Sequence, residues 1–334
     1  MNINVKAISP TVIEISGEIS QDLFESFRPE AIGHLASSVE LPGFRKGHVP
    51  ENILRERLGP MAILEEMAER AIRGAYPKII VDNKIEAIGR PAVAITKIAE
   101  DSPLGFKITQ TVLPEIKLPE YKKIAIETNA RIDADQKSKD AENVSEQELS
   151  DVLAEIKKAR EKEASDKKED DKTEPKDLTD EEKENVRKNL EHEKKLRSKD
   201  KRRIAIVDSI LEKTDIALPK VLVERHMDRF MGEMRENLTR MQVKFEDYLA
   251  RTKKTEAEIR ETSRTDAEKR VKTQLLLEAL AKEEKIEIPE AEVEQELGHI
   301  LEHYKNADPE AAHDYVLTIM RNTKVFELLE GTTE

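Results

Sequence analysis

Between Glu161 and Asp177, 13 of 17 residues are charged and none is a large apolar side chain. No core can form across such a stretch, because nothing in it offsets the conformational entropy of ordering the chain. It therefore divides the 334 residues into parts that must build their cores separately, as the length alone also suggests. Charged residues make up 38% of the chain and aromatics 4%, the composition of an extended, multidomain, largely helical protein with modest cores. The expected domains are residues 1–118, an arm and charged linker over 119–178, and a helical domain over 179–334.

The first of these alternates strand and helix signals. Residues 3–19 carry a period-2 pattern, with Ile13 and Ile15 apolar and Glu14, Ser16 and Glu18 polar between them, which predicts half-buried strand structure. Ser20 is a suitable N-cap, and Leu23, Phe24, Phe27, Ala31, Ile32 and Leu35 follow at helical spacing until residues 41–50 interrupt it. A second helical stretch carries Ala62, Met67, Ala71, Ile72 and Ile79. After Arg90 and Pro91 the chain returns to strands, in which Phe106, Ile108 and Val112 can share one sheet face. The expected class is an α+β amino-terminal domain (β-β-α-α-β-β) followed by a mainly α-helical, multi-helix domain.

Helix starts recur further on. Ser145…Glu148, Thr179…Glu182, Thr255…Glu258 and Thr265…Glu268 all fit the capping box, in which each side chain satisfies an orphan amide of the other. Pro219, Pro289 and Pro309 fall where a first helical residue tolerates a missing amide. Leu149, Val152, Leu153 and Ile156 give the arm helix, to about Arg160, an apolar stripe. Residues 179–334 thus predict about six helices.

Several function classes are excluded by what the sequence lacks. It has no cysteine, so disulfides, thiolate metal sites and thiol nucleophiles are absent. No HExxH pair, phosphate-binding Gly-rich loop, nucleophile elbow or dinucleotide fingerprint occurs, so no catalytic residue, cofactor or ATP site is assigned. His299 and His303 lie four apart beside Glu296 and Glu302, but scattered surface histidines explain them better, and no metal is assigned. A net charge of −13 argues against general DNA binding. The amino terminus carries no secretion-type segment and no run is long enough to span a bilayer, so the expected location is the cytoplasm, without membrane contact.

The most specific string is Leu41-Pro42-Gly43-Phe44-Arg45-Lys46-Gly47-His48-Val49-Pro50. Pro42 and Gly43 stop one helix, Gly47 and Pro50 allow a tight reversal, and Phe44-Arg45-Lys46 is left at the tip. An aromatic beside two cations suits a docking surface; equally, Phe44 can fold back onto the core of an ordinary connector.

GFRKGHVP resembles the GFRxGKxP ribosome-binding signature of bacterial trigger factors. The resemblance covers residues 1 to about 160 and resumes near 179, where LTDEEKENVRKNLEHE, LPKVLVERHMDRF and AEKRVKTQLLLEALAKEEKIEI are similar in order and spacing to the family's carboxy-terminal domain. It implies an ATP-independent chaperone that docks on the large ribosomal subunit near the exit tunnel and shields nascent or unfolded polypeptides. By the same resemblance Gly43, Phe44, Arg45, Lys46, Gly47 and His48 form the docking loop, with Phe44 as apolar anchor. His48 stands where the family usually has lysine. An imidazole is mostly neutral at neutral pH, so docking somewhat weaker and less salt-sensitive than the family norm is expected. Members of the family carry a prolyl isomerase domain of roughly a hundred residues after the arm helix. Here the corresponding space holds only the charged linker, and no aromatic lies between Tyr121 and residue 179. A domain needs far more apolar surface than that, so isomerase activity is expected to be absent. The sequence leaves open whether the chain forms a homodimer, as some relatives do.

One further surface invites notice. Val223, Met227, Met231, Met234, Leu238 and Met241 lie on one side of a helix, with Phe230 beside them. Methionine is flexible and polarizable, which suits contact with varied clients; an internal seam against a neighbouring helix is the plainer reading. The alternative function is a cytoplasmic adaptor or scaffold that binds protein partners without ribosomes.

Overall fold

The computed structural model describes residues 2–42, 44–135, 143–166, 179–304 and 307–331. They form two compact units, residues 1–115 with 216–272, and residues 116–215 with 273–334. Along the chain run β1 (Asn2–Ser9), β2 (Val12–Ile19), α1 (Gln21–Glu25), α2 (Arg28–Ser38), α3 (Glu51–Leu58), α4 (Pro60–Asp82), β3 (Ala87–Lys97) and β4 (Leu104–Val112). Then follow α5 (Tyr121–Ala134), α6 (Glu146–Asp166), α7 (Asp180–Leu211), α8 (Lys220–Arg240), α9 (Phe245–Thr252), α10 (Glu256–Glu283), α11 (Glu290–His303) and α12 (Pro309–Glu330). The α+β start and the helical remainder are those the sequence predicts.

In the first unit the four strands form one antiparallel sheet in the order β1-β2-β4-β3. Ile15 pairs with Ile108 and Ile19 with Leu104 across the two central strands, all fully buried. Gly17 pairs with Phe106; a Cβ on Gly17 would sit 3.1 Å from the Phe106 ring and 2.6 Å from the Asn2 carbonyl oxygen. The missing side chain therefore makes room for the largest one on the facing strand. Helix α4 covers this face with Ile63, Met67, Ala71, Ala75 and Ile79, each buried and four apart, as a single helical stripe requires. Gln110, also fully buried, is satisfied by donating to the Ile88 and Thr111 carbonyls at 2.8 and 2.7 Å and accepting from the Tyr76 hydroxyl at 2.7 Å.

Each helical stretch expected on either side of the 41–50 loop is divided in two. Pro29 separates α1 from α2: it has no amide hydrogen to donate back to Glu25, and it falls in the first turn of α2, where none is needed. Gly59, at φ +86°, separates α3 from α4, which then opens on Pro60. In the same unit α8 and the start of α10 run antiparallel: Arg260 bonds Glu224 at 3.0 Å and Asp228 at 2.7 Å, while Arg235 reaches Glu256 at 2.8 Å.

Three of the four capping boxes mark starts as expected, at Ser145, Thr179 and Thr255, each hydroxyl accepting from an amide three residues on at 3.2 Å. Thr265…Glu268 does not: it lies inside α10, which is unbroken over Glu256–Glu283. Ile259, Ala267 and Val271 keep one buried face in phase through that point, so the packing continues the helix where the local motif would start one. Pro219 and Pro289 serve as N-caps, one position before the first helical residue, and Pro309 is first in its helix behind the capping carboxylate of Asp308.

The second unit contains a bundle of α5, α7 and α12. Arg202 on α7 bonds Asp133 of α5 at 2.6 Å, and Arg203 bonds Glu330 of α12 at 2.7 Å while stacking 4.9 Å from the Phe326 ring. Beneath them Ile124, Ile206, Ile210, Val325 and Leu329 are buried; each contributes about 2 kcal/mol by leaving water. Helix α6 lies antiparallel on the first half of α7, through Arg160–Glu182 at 2.6 Å, Arg187–Glu146 at 2.8 Å and Lys194–Glu148 at 2.7 Å. The two ends that flank the charged stretch therefore lie side by side. Residues 167–178 of that linker are outside the described residues.

Candidate functional site

The loop between α2 and α3 returns along α2. Its outgoing limb leaves at Val39. The Gly47 amide then donates to the Ala36 carbonyl at 2.8 Å, one of the carbonyls a helix C-terminus leaves without an intrahelical partner. Gly47 stands at φ +84°, and the nearest atom to a Cβ there would be the Ser37 hydroxyl at 3.7 Å. Space is free, so glycine is needed for its backbone angle rather than its size. Two residues on, Val49 is 5% exposed and packs with Ala36 and Leu54. Finally Glu51, the first residue of α3, receives a bond from Arg28 at the opposite end of α2 at 3.0 Å.

This arrangement leaves the tip outside. Phe44 is 39% exposed; Arg45, Lys46 and His48 are exposed as well. The Phe44 amide donates to Leu41 at 3.1 Å and the His48 amide to Arg45 at 2.9 Å, closing the tip as consecutive turns. Among the described residues neither Arg45 nor Lys46 forms an ion pair, so both cations are available. Gly43 lies outside the described residues. The sequence does not single out Val49, whose burial against Ala36 and Leu54 fixes the returning limb. Nor does it single out Arg28, whose partner is 23 residues away and gives no local pattern.

The methionine stripe of α8 divides along its length. Val223, Met227 and Met231 are buried at 4%, 1% and 1% exposure, the seam expected of an internal face. Met234 and Leu238 are half-buried, while Phe230 and Met241 are 40% and 72% exposed. Apolar surface thus opens toward the turn between α8 and α9, where Arg235 stacks 4.8 Å from the Phe245 ring. Among the described residues no group of three or more carboxylate or imidazole side chains is placed to hold a metal, and no helix is long and apolar enough to cross a membrane.

The fold is shared with a solved structure of the trigger factor chaperone, from work on promiscuous substrate recognition in its folding and assembly activities. The two align over 100% of both chains at TM-score 0.56 and 15% identity. Two family models also match, the bacterial trigger factor protein (TF) over residues 1–156 and the bacterial trigger factor protein C-terminus over residues 179–328. The chain belongs to the trigger factor family, a family of chaperones. Curated relatives include the trigger factors of Clostridium kluyveri, 22% identical over 100% of this chain and 99% of that one, and of Bacillus subtilis, 25% identical over 86% and 88%. The C. kluyveri alignment runs over 428 positions, so 94 of them find no counterpart among these 334 residues. Between the two family matches only residues 157–178 remain.

Proposed function

We propose that the protein is an ATP-independent chaperone that docks at the ribosomal exit tunnel, shields emerging chains and has no prolyl isomerase activity. The observation that carries docking is the loop: an exposed aromatic and two cations without an ion pair among the described residues, held on a limb anchored at Gly47, Val49 and Glu51. Phe44 is the apolar anchor; Arg45 and Lys46 meet acidic and phosphate groups beside the tunnel of the large subunit; Gly43, Gly47 and His48 shape and flank the contact. A micromolar complex needs only about 8 kcal/mol, which one buried aromatic and a few charge-assisted bonds can supply.

Residues 1–118 serve as the ribosome-binding domain, 119–178 as arm and linker, and 179–334 as the client-binding domain. Phe230, Met234, Leu238 and Met241 offer the exposed apolar surface for clients, with Met227 and Met231 packed behind them. Client release then needs no nucleotide, since a folding client buries its own apolar segments at about 25 cal/mol per Å². A ribosomal partner places the chain in the cytoplasm. Absence of the isomerase is supported by the two family matches, which leave only residues 157–178 between them, and by the Arg160–Glu182 contact, which brings the helices on either side of that segment together.

Because the chain has no cysteine, a Lys46→Cys variant accepts a single photo-crosslinker. Label transferred to a large-subunit protein from position 46, and not from a Lys107→Cys control on the outer face of the sheet, is the expected result. No ribosomal product from position 46, with transfer to a soluble protein instead, would favour an adaptor.

A further inference from the structure

We infer that Arg28 is the positioning residue of the docking loop, an inference that rests on the docking function proposed above. Arg28 begins α2, and its guanidinium grips Glu25 with two bonds, Nε at 2.7 Å and Nη2 at 3.1 Å, while Nη1 reaches Glu51 at 3.0 Å. Glu51 is the point where the loop ends and α3 begins. One planar side chain therefore ties the end of α1, the start of α2 and the end of the loop, a fork geometry that an ammonium does not reproduce. Arg28 is 25% exposed and all three of its bonds are made in the free chain, so the fork is held in place before anything docks.

The consequence follows from the course of the chain. The returning limb is fixed at Gly47 by one amide bond, at Val49 by burial and at Glu51 by Arg28. Releasing the last of these frees the limb to swing about Val49, and a loop that must be ordered on docking loses affinity. Nothing in the string GFRKGHVP reveals this, because the clamp is built from residues outside it.

The test uses the full chain with Arg28→Ala, with Glu51→Gln, which keeps size and removes only the charge, and with both together. In the free protein, hydrogen exchange at the amides of residues 44–49 is expected to speed up in all three variants while exchange in α4 is unchanged. Affinity for vacant ribosomes is expected to fall about five- to tenfold in each single variant, with little loss in the double beyond that of Arg28→Ala, because Arg28→Ala already removes the bond to Glu51 along with those to Glu25. Unchanged loop exchange, or faster exchange spread through α4, would overturn the clamp whatever the ribosome does. Failure of the wild-type chain to bind ribosomes while loop exchange responds would instead overturn the docking function and leave the clamp standing.

Discussion

The tip of the loop depends on one backbone angle. At φ +84°, Gly47 occupies a region that costs a residue with a Cβ about 1–2 kcal/mol. Gly47→Ala should therefore lower the stability of the amino-terminal unit by about that amount in urea unfolding, and loosen the bond to Ala36. Wild-type stability in the variant would mean that the loop relaxes freely and is not fixed as described. The reversal at Gly47 was legible from the sequence, and so was the placement of Phe44-Arg45-Lys46 at a tip. Whether Phe44 turns inward was not. In the fold Val49 is buried with Ala36 and Leu54 while Phe44 stays 39% exposed, an outcome of tertiary packing that no local pattern encodes. The clamp at Arg28 was equally hidden, since its partner comes close only after α2 and α3 have packed.

Among the elements, the hairpin of α6 and α7 carries the clearest pH dependence. Lys194, with help from the Ser145 cap, holds the Glu148 carboxyl down at about 2, and Arg160, with help from Thr179, does the same for Glu182. A carboxylate whose folded value lies below its unfolded one stabilises fully above the unfolded value and loses that contribution as pH falls toward the folded one. The hairpin should thus loosen progressively between about pH 4.5 and about pH 2, by the modest amount that solvent-exposed pairs contribute. Fluorophores on cysteines introduced at Lys158 and Glu184 should separate over that window, and a Lys194→Met, Arg160→Met variant should already be looser at pH 6, with a shallower acid response. An opening confined to pH above 5 would rule these pairs out as its cause. The caps behind this hairpin were readable because a capping box is a local pattern. Thr265 misled because the same pattern fell within a longer buried stripe, and tertiary packing outweighs a cap worth about 1 kcal/mol. The splits at Pro29 and Gly59 interrupt apolar spacing that runs on across them, so the spacing reads through where the backbone does not.

At the scale of the whole molecule, the chain aligns with 99% of the C. kluyveri relative while leaving 94 positions of that comparison empty. A hundred-residue isomerase cannot be rebuilt from residues 157–178, so turnover on a proline-containing tetrapeptide should equal the uncatalysed rate; acceleration above it would contradict the proposed loss. The charged stretch falls inside the second compact unit, between α6 and α7, and where the two units part was not legible from it. The joining of residues 216–272 to the first compact unit was not legible either, since it depends on contacts between distant segments such as Val221 beside Gly89. Ribosome docking remains the claim on which the account turns, and co-sedimentation with vacant ribosomes tests it most directly. The wild-type chain should pellet with ribosomes at low salt, and the Phe44→Ala, Arg45→Ala, Lys46→Ala variant should stay in the supernatant. If neither chain pellets, or if both pellet equally, the loop is not the docking site.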